Sequence, residues 1–139
     1  MIKLLVAVDG SDNSLRAVAS AIRLAAQCAV EIHVVNVQPR LHGGVAGFVN
    51  AAQIKEYHHE EGLKEIAKAR ELMDQSGLAY QHHMFVGDPA ETIARFAKES
   101  SCDQIILGTR GLGAVSNMLL GSVVTKVLHL TDVPVVLVK

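Results

Sequence analysis

Apolar and polar positions follow two alternating patterns along the chain. Residues 2–8 form a nearly unbroken apolar run rich in Val, Ile and Leu, as in a strand buried on both faces. The same signature returns in EIHVVNV (31–37), DQIILG (103–108) and VPVVLVK (133–139). YQHHMFV (Tyr80–Val86) is more polar and alternates, which predicts an outer strand.

Between these runs the period lengthens to that of helices. SDNSLRAVASAIRLAAQ (11–27) sets Leu15, Val18, Ala19, Ile22 and Ala26 on one stripe, with Arg16 and Arg23 on the other side, and Ser11 or Asp12 is placed to cap it. Residues 51–76 carry Ile54, Leu63, Ile66, Ala67 and Met73 among many charges. That predicts a long, solvent-exposed helix ended by Gly77. In GDPAETIARFAKES (87–100), Asp88 is an N-cap, Pro89 takes the first helical position and Glu91 follows three residues after the cap, with Ile93, Phe96 and Ala97 facing inward. Residues 123–130 supply the last helix.

The order β-α-β-α-β-α-β-α-β predicts a parallel sheet covered by helices on both sides, with right-handed crossovers. One connection is long: QPRLHGGVAGFVN (38–50) contains three glycines, and loops of that length are often functional.

Composition narrows the class. At 139 residues, half of them apolar, the chain is the size of one domain with a real core. A net charge of −1 without any basic run argues against a dedicated nucleic-acid or anionic-membrane binder. The opening MIKLLVAVDG is stopped by Asp9 and lacks a small-residue cleavage site, so it reads as a strand. No apolar segment approaches the ~20 residues needed to cross a bilayer, which predicts a soluble, cytoplasmic protein. Cys28 and Cys102 lack CxxC spacing and read as small packed thiols. The pairs His58-His59 and His82-His83 cannot chelate one ion, because neighbours diverge on a helix or a strand, and they read as solvated surface groups. His33 reads as packed or hydrogen-bonded.

Candidate chemistry concentrates in GTRGLGAVSNMLLGSVVTK (108–126). In an open α/β sheet ligands bind beyond the carboxyl ends of the strands, where strand order reverses. Here that means the turns after the first and fourth strands. Gly121 and Ser122 open the last helix, so their amides and the Ser122 hydroxyl are placed to grip phosphate oxygens. Gly108 and Gly111 would admit a sugar or phosphate close to the chain, with Arg110 adding a charge-assisted contact. The bland alternative is that these glycines only make turns. Asp9 divides equally between a site residue and a turn-forming acid ahead of the first helix.

The spacing Gly108-x2-Gly111-x9-Gly121-Ser122, together with LLVAVDGSDNSLRAV and VVNVQP, resembles the ATP-binding members of the universal stress protein family over the whole chain. The resemblance implies a doubly wound, Rossmann-like α/β fold of the adenine nucleotide alpha hydrolase type, a five-stranded parallel sheet in the order 3-2-1-4-5. It implies adenosine contacts from Ala7, Val8 and Asp9, with Asp9 on the ribose hydroxyls, and an adenine contact from Val37. Leu107, Gly108, Arg110 and Gly111 would line the ribose and phosphates, and Gly121, Ser122, Val123 and Val124 the triphosphate. Many members have a small or hydroxylated residue where this chain has Val124, which leaves only a backbone amide to act there.

The function so implied is that of an ATP-binding, nucleotide-dependent regulator or stress-response module, with Mg²⁺ held by the phosphates and at most slow hydrolysis, not a fast enzyme. The apolar terminal run VPVVLVK, as an outer strand, would pair a homodimer. The alternatives are an adenylylating ATP-pyrophosphatase, whose SGGxDS turn the DGSDNS here matches only in composition, and an interaction module binding AMP or a cyclic nucleotide.

Overall fold

The computed structural model describes residues 1–41, 47, 49–111 and 119–139. The described elements are β1 (Ile2–Ala7), α1 (Asp12–Ala25), β2 (Val30–Gln38), α2 (Ala51–Ser76), β3 (Tyr80–Val86), α3 (Pro89–Glu99), β4 (Gln104–Gly108), α4 (Ser122–Leu130) and β5 (Val135–Val138). All five strands are parallel, in the order β3-β2-β1-β4-β5. The polar, alternating strand is at one edge, as its pattern predicts; the terminal strand is at the other, and despite an apolar run like that of a strand buried on both faces its residues are half-buried or exposed.

Period-two alternation along the buried strands sends side chains into two cores. Leu4, Val6, Ile32, Val34 and Ile106 pack with Val18 of α1 and with Ile66 and Met73 of α2. Leu5, Val35, Ile105 and Leu107 pack on the opposite face with Ile93 of α3 and with Val124 and Val127 of α4. Each fully buried Leu or Ile contributes roughly 1.5–3 kcal/mol, so the central strands anchor both layers.

Helix starts follow the capping chemistry. Ser11 Oγ accepts from Ser14 N at 3.1 Å at the head of α1. Asn50 and Gln53 form a reciprocal capping box on α2, and Asp88 accepts from Glu91 N at 2.9 Å on α3. Gly77 ends α2 at φ 73, a left-handed conformation that glycine adopts without a Cβ penalty.

The inward faces of two helices differ from expectation. On α1 the buried residues are Ser14, Ala17, Val18 and Ala21, whereas Leu15 and Ile22 are half-buried and Ala26 is exposed. Small residues face the sheet because they let the helix backbone approach it, and hydrophobicity alone selects the larger flanking residues instead. On α2, Leu63 and Ala67 are exposed, while Gly62 and Ala69 are buried. A Cβ on Gly62 would come within 3.1 Å of Met84 Sδ, so the missing side chain sets the distance between α2 and β3.

Candidate functional site

In the register of β1 with β4, Val6 is opposite Ile106, which leaves Ala7 and Leu107 together at the carboxyl end where the strand order reverses. A cavity of about 540 Å³ opens there. Its lining includes all twelve positions named from the sequence: Ala7, Val8 and Asp9 after β1, and Val37 at the end of β2. Leu107, Gly108, Arg110 and Gly111 lie on and after β4, and Gly121 with Ser122, Val123 and Val124 at the start of α4. Ser14, Val35, Pro39, Glu65, Pro89 and Ile93 complete the described lining.

The walls differ in chemistry because they belong to different faces of the sheet. Val35, Val37, Ile93, Leu107 and Val124 belong to the α3/α4 core and form an apolar slot. Asp9, Ser14 and Glu65 come from the α1/α2 side and make a polar wall. Asp9 is shaped locally: its Oδ1 accepts from Ser11 N at 2.9 Å, an Asx turn that leads the chain into α1. The turn-forming and cleft-lining readings of Asp9 therefore hold together.

The glycines are used differently from the sequence expectation. A Cβ on Gly111 would collide with Asp9 Oδ2, so this glycine makes room for the acid across the cleft. A Cβ on Gly108 would lie 2.7 Å from Asn13 Oδ1 and 3.0 Å from the Asn13 carbonyl carbon. The space a side chain would take is occupied by α1, while Gly108 itself lines the cavity. Asn13 Oδ1 accepts from Arg110 N at 2.7 Å, and its Nδ2 donates to Val138 O at 3.0 Å.

Gly121 is the N-cap of α4, with no side-chain cap bond. Its own N–H donates to Thr109 O at 2.7 Å and ties the start of α4 to the end of β4. That amide is thus spent within the chain, contrary to its expected grip on phosphate. The first-turn amides of Ser122, Val123 and Val124 follow it, and helix geometry aims them beyond the N-terminus, where the dipole is positive. Val124 keeps its side chain in the α3/α4 core, 4% exposed, where it forms part of the apolar slot, and its amide belongs to the first turn of α4. Residues 112–118 of the glycine-bearing stretch, and 42–46 and 48 of the long connection 38–50, lie outside the described residues.

Polar residues that periodicity does not single out support the cleft. Asn36, fully buried, donates from Nδ2 to Val8 O at 2.9 Å and to Glu65 Oε1 at 3.3 Å. Gln38 Nε2 donates to Glu65 Oε2 at 2.8 Å and to Asn36 Oδ1 at 3.2 Å. Two side-chain amides, two residues apart on one face at the carboxyl end of β2, were the available signal. His58 is buried, contrary to the expectation of a solvated histidine, because its Nε2 donates to Pro39 O at 3.1 Å and pins the rim of the cleft.

Near α4, Asp88 pairs with Lys126 at 3.1 Å. The Glu91 amide, helped by Lys126, holds the Asp88 carboxyl below its ordinary value. His33 is buried and bonded as expected, with Nε2 2.7 Å from Glu31 Oε1 and Nδ1 2.9 Å from His83 Nε2. His83 is half-buried against Phe96, and burial, with the charge of His33 and His82, pushes its pKa down. Among the described residues no group of three or more His, Cys, Asp or Glu is arranged to hold a metal ion, and no helix is long and apolar enough to cross a membrane.

Comparison with known proteins agrees with this architecture. A model described as "Universal stress protein family" matches residues 1–139. Universal stress protein YxiE of Bacillus subtilis is 34% identical over 145 residues, covering 99% of this chain and 98% of that protein. The solved structure of MJ0577 superposes with a TM-score of 0.84 at 26% identity, covering 99% and 94% of the two chains; this protein is from Methanocaldococcus jannaschii. A universal stress protein in complex with cAMP superposes at 0.74 with 25% identity and 99% and 97% coverage. The universal stress protein from Archaeoglobus fulgidus in complex with dAMP does so at 0.70 with 27% identity and 100% and 98% coverage.

Proposed function

The chain belongs to the universal stress protein family, and from that premise we propose that it binds an adenine nucleotide, ATP foremost, in the cleft between β1, β4 and α4, and acts as a nucleotide-dependent regulator or stress-response module. The observation that carries this is the shared lining of one cavity of about 540 Å³ by all twelve motif-derived positions. The cavity offers each part of a nucleotide a matching surface. A flat apolar ring fits the slot of Val35, Val37, Ile93 and Leu107, sugar hydroxyls find Asp9, and the phosphates meet the α4 amides and Arg110. The complexes of relatives with cAMP and dAMP support the adenine class.

Mg²⁺, where present, is held mainly by the phosphates. Binding and release, with at most slow hydrolysis, is the working event. The protein acts in the cytoplasm as a homodimer paired along β5, a sheet edge on which Val136 and Leu137 are 38% and 36% exposed.

Titration calorimetry with ATP, and native mass spectrometry of the protein as purified, test nucleotide binding. Heat of binding and a co-purifying mass of ATP are expected. Absence of binding to ATP, AMP and cyclic AMP overturns the assignment, and ATP consumption with release of pyrophosphate replaces it with adenylylation. A monomer by light scattering at micromolar concentration removes the dimer.

A further inference from the structure

Glu65 stands in the cleft at a place the sequence motifs do not mark. It comes from the middle of α2 and lines the same polar wall as Asp9. A Cβ on Gly10 would be 3.3 Å from Glu65 Cγ, so Glu65 packs on the residue that directly follows Asp9. Gly10 has φ 87, which lets the chain turn beneath it.

The carboxylate is oriented by two amides. Gln38 Nε2 donates to Oε2 at 2.8 Å and Asn36 Nδ2 to Oε1 at 3.3 Å. Asn36 is itself fixed by Val8 O at 2.9 Å. A carboxylate has about four acceptor positions on its two oxygens, so one amide on each leaves acceptor capacity on both. The amides direct N–H groups at Glu65, so the wall presents acceptors to the cleft and calls for a donor. A phosphate oxygen is excluded there by charge, which agrees with phosphates at α4 on the other side.

We infer that Glu65 is a selectivity residue: its carboxylate, held by Gln38 and Asn36 beside Asp9, accepts a hydrogen bond from a ribose hydroxyl and makes the cleft prefer ribonucleotides to their deoxy analogues. This rests on nucleotide binding as proposed above. The ring amino group of adenine is the other donor on such a ligand, but the apolar slot that fits the ring lies on the opposite face of the sheet, with Ile93 and Leu107. The sugar is the part that faces the α1/α2 wall. The relative in complex with dAMP holds a nucleotide without a 2′-hydroxyl, which makes deoxy analogues a natural comparison for this cleft.

The test is titration calorimetry of the whole protein and of its Glu65→Asp and Glu65→Gln variants with ATP, 2′-deoxy-ATP and 3′-deoxy-ATP. A hydrogen bond to a charged group is worth enough to give a preference of about tenfold or more. The wild-type protein is expected to bind ATP that much more tightly than at least one deoxy analogue. In both variants the ratio should fall toward one through loss of ATP affinity, with affinity for that analogue kept within about twofold. Thermal melts accompany each titration; if Glu65→Gln melts early, Glu65→Asp, which keeps the charge but withdraws it by one methylene, carries the comparison. A preserved ratio in the variants, or equal wild-type affinity for all three ligands, overturns the role of Glu65 and leaves nucleotide binding standing. No wild-type binding to any of them overturns both.

Discussion

Gly111→Val separates two ways in which a glycine can serve a nucleotide cleft. If the glycine admits phosphate, Val crowds the phosphates. In this structure the new side chain meets the Asp9 carboxylate first, since even a Cβ collides with Oδ2. Asp9 then has to rotate, which breaks its Oδ1 bond from Ser11 N at 2.9 Å and removes the acceptor proposed for the sugar. A hydrogen bond to a charged group contributes about 1.5–3 kcal/mol, so ATP affinity should drop roughly ten- to a hundredfold. Stability should drop by only about 1 kcal/mol, because Gly111 is exposed and one turn bond is lost. Calorimetry with ATP and AMP decides between the mechanisms: loss of Asp9 weakens both alike, and phosphate crowding weakens ATP far more. Asp9→Ala in the Gly111→Val background should add little, since neighbours acting through one contact are not additive. Selective loss of ATP with AMP binding intact, or fully additive effects, refutes the Asp9 route.

Gly108→Ala should destabilise the fold by about 1–3 kcal/mol in urea unfolding, because its Cβ would sit 3.0 Å from the Asn13 backbone, which cannot swing aside; an unchanged midpoint refutes the contact. Asp88→Ala should cost about 1 kcal/mol through the lost α3 cap, and since its carboxyl titrates below its ordinary 3.8, the contribution persists above that pH and disappears as pH falls through the lower folded value. His83 titrates below its ordinary 6.5 in the folded protein. Below pH 6.5 the unfolded chain therefore takes up a proton that the folded one refuses, and stability should decline with acidification until the lower folded value is passed. His83→Phe should flatten that slope in melts between pH 7 and 5, and an unchanged slope refutes the assignment.

Much of the fold was legible in the chain because strands buried on both faces leave continuous apolar runs, and Asp88-Pro89 and Gly77 punctuate helices by local chemistry. Strand order follows from the family resemblance together with alternation. The cleft's position was legible too, since parallel topology dictates which strand ends meet. The inward phase of α1 was not, because Ala17 and Ala21 are chosen for closeness and not for hydrophobicity. Gly108 and Gly111 do line the cavity, but the neighbours their missing side chains make room for, Asn13 and Asp9, come from a distant helix and turn that local spacing cannot reveal. Glu65 does not stand out among the charges of the long helix and His58 reads as a solvated surface group, and only their partners on and after β2 distinguish them from residues facing water.

The Asn13 amide joins residues 125 and 97 positions away, Val138 and Arg110. Such contacts close late in folding, because long loops must be ordered before they form. β1, β2 and β3 with α1 and α2 can assemble much of one core from earlier parts of the chain, but the turn at Arg110 gains its Asn13 partner only once β4 has joined β1. The same amide is satisfied on its other side only when β5 has docked. A partly folded molecule with its last strand undocked would carry a nearly complete sheet and a loosely held cleft. Ligand-induced protection in hydrogen exchange would then count only those molecules whose β5 is in place.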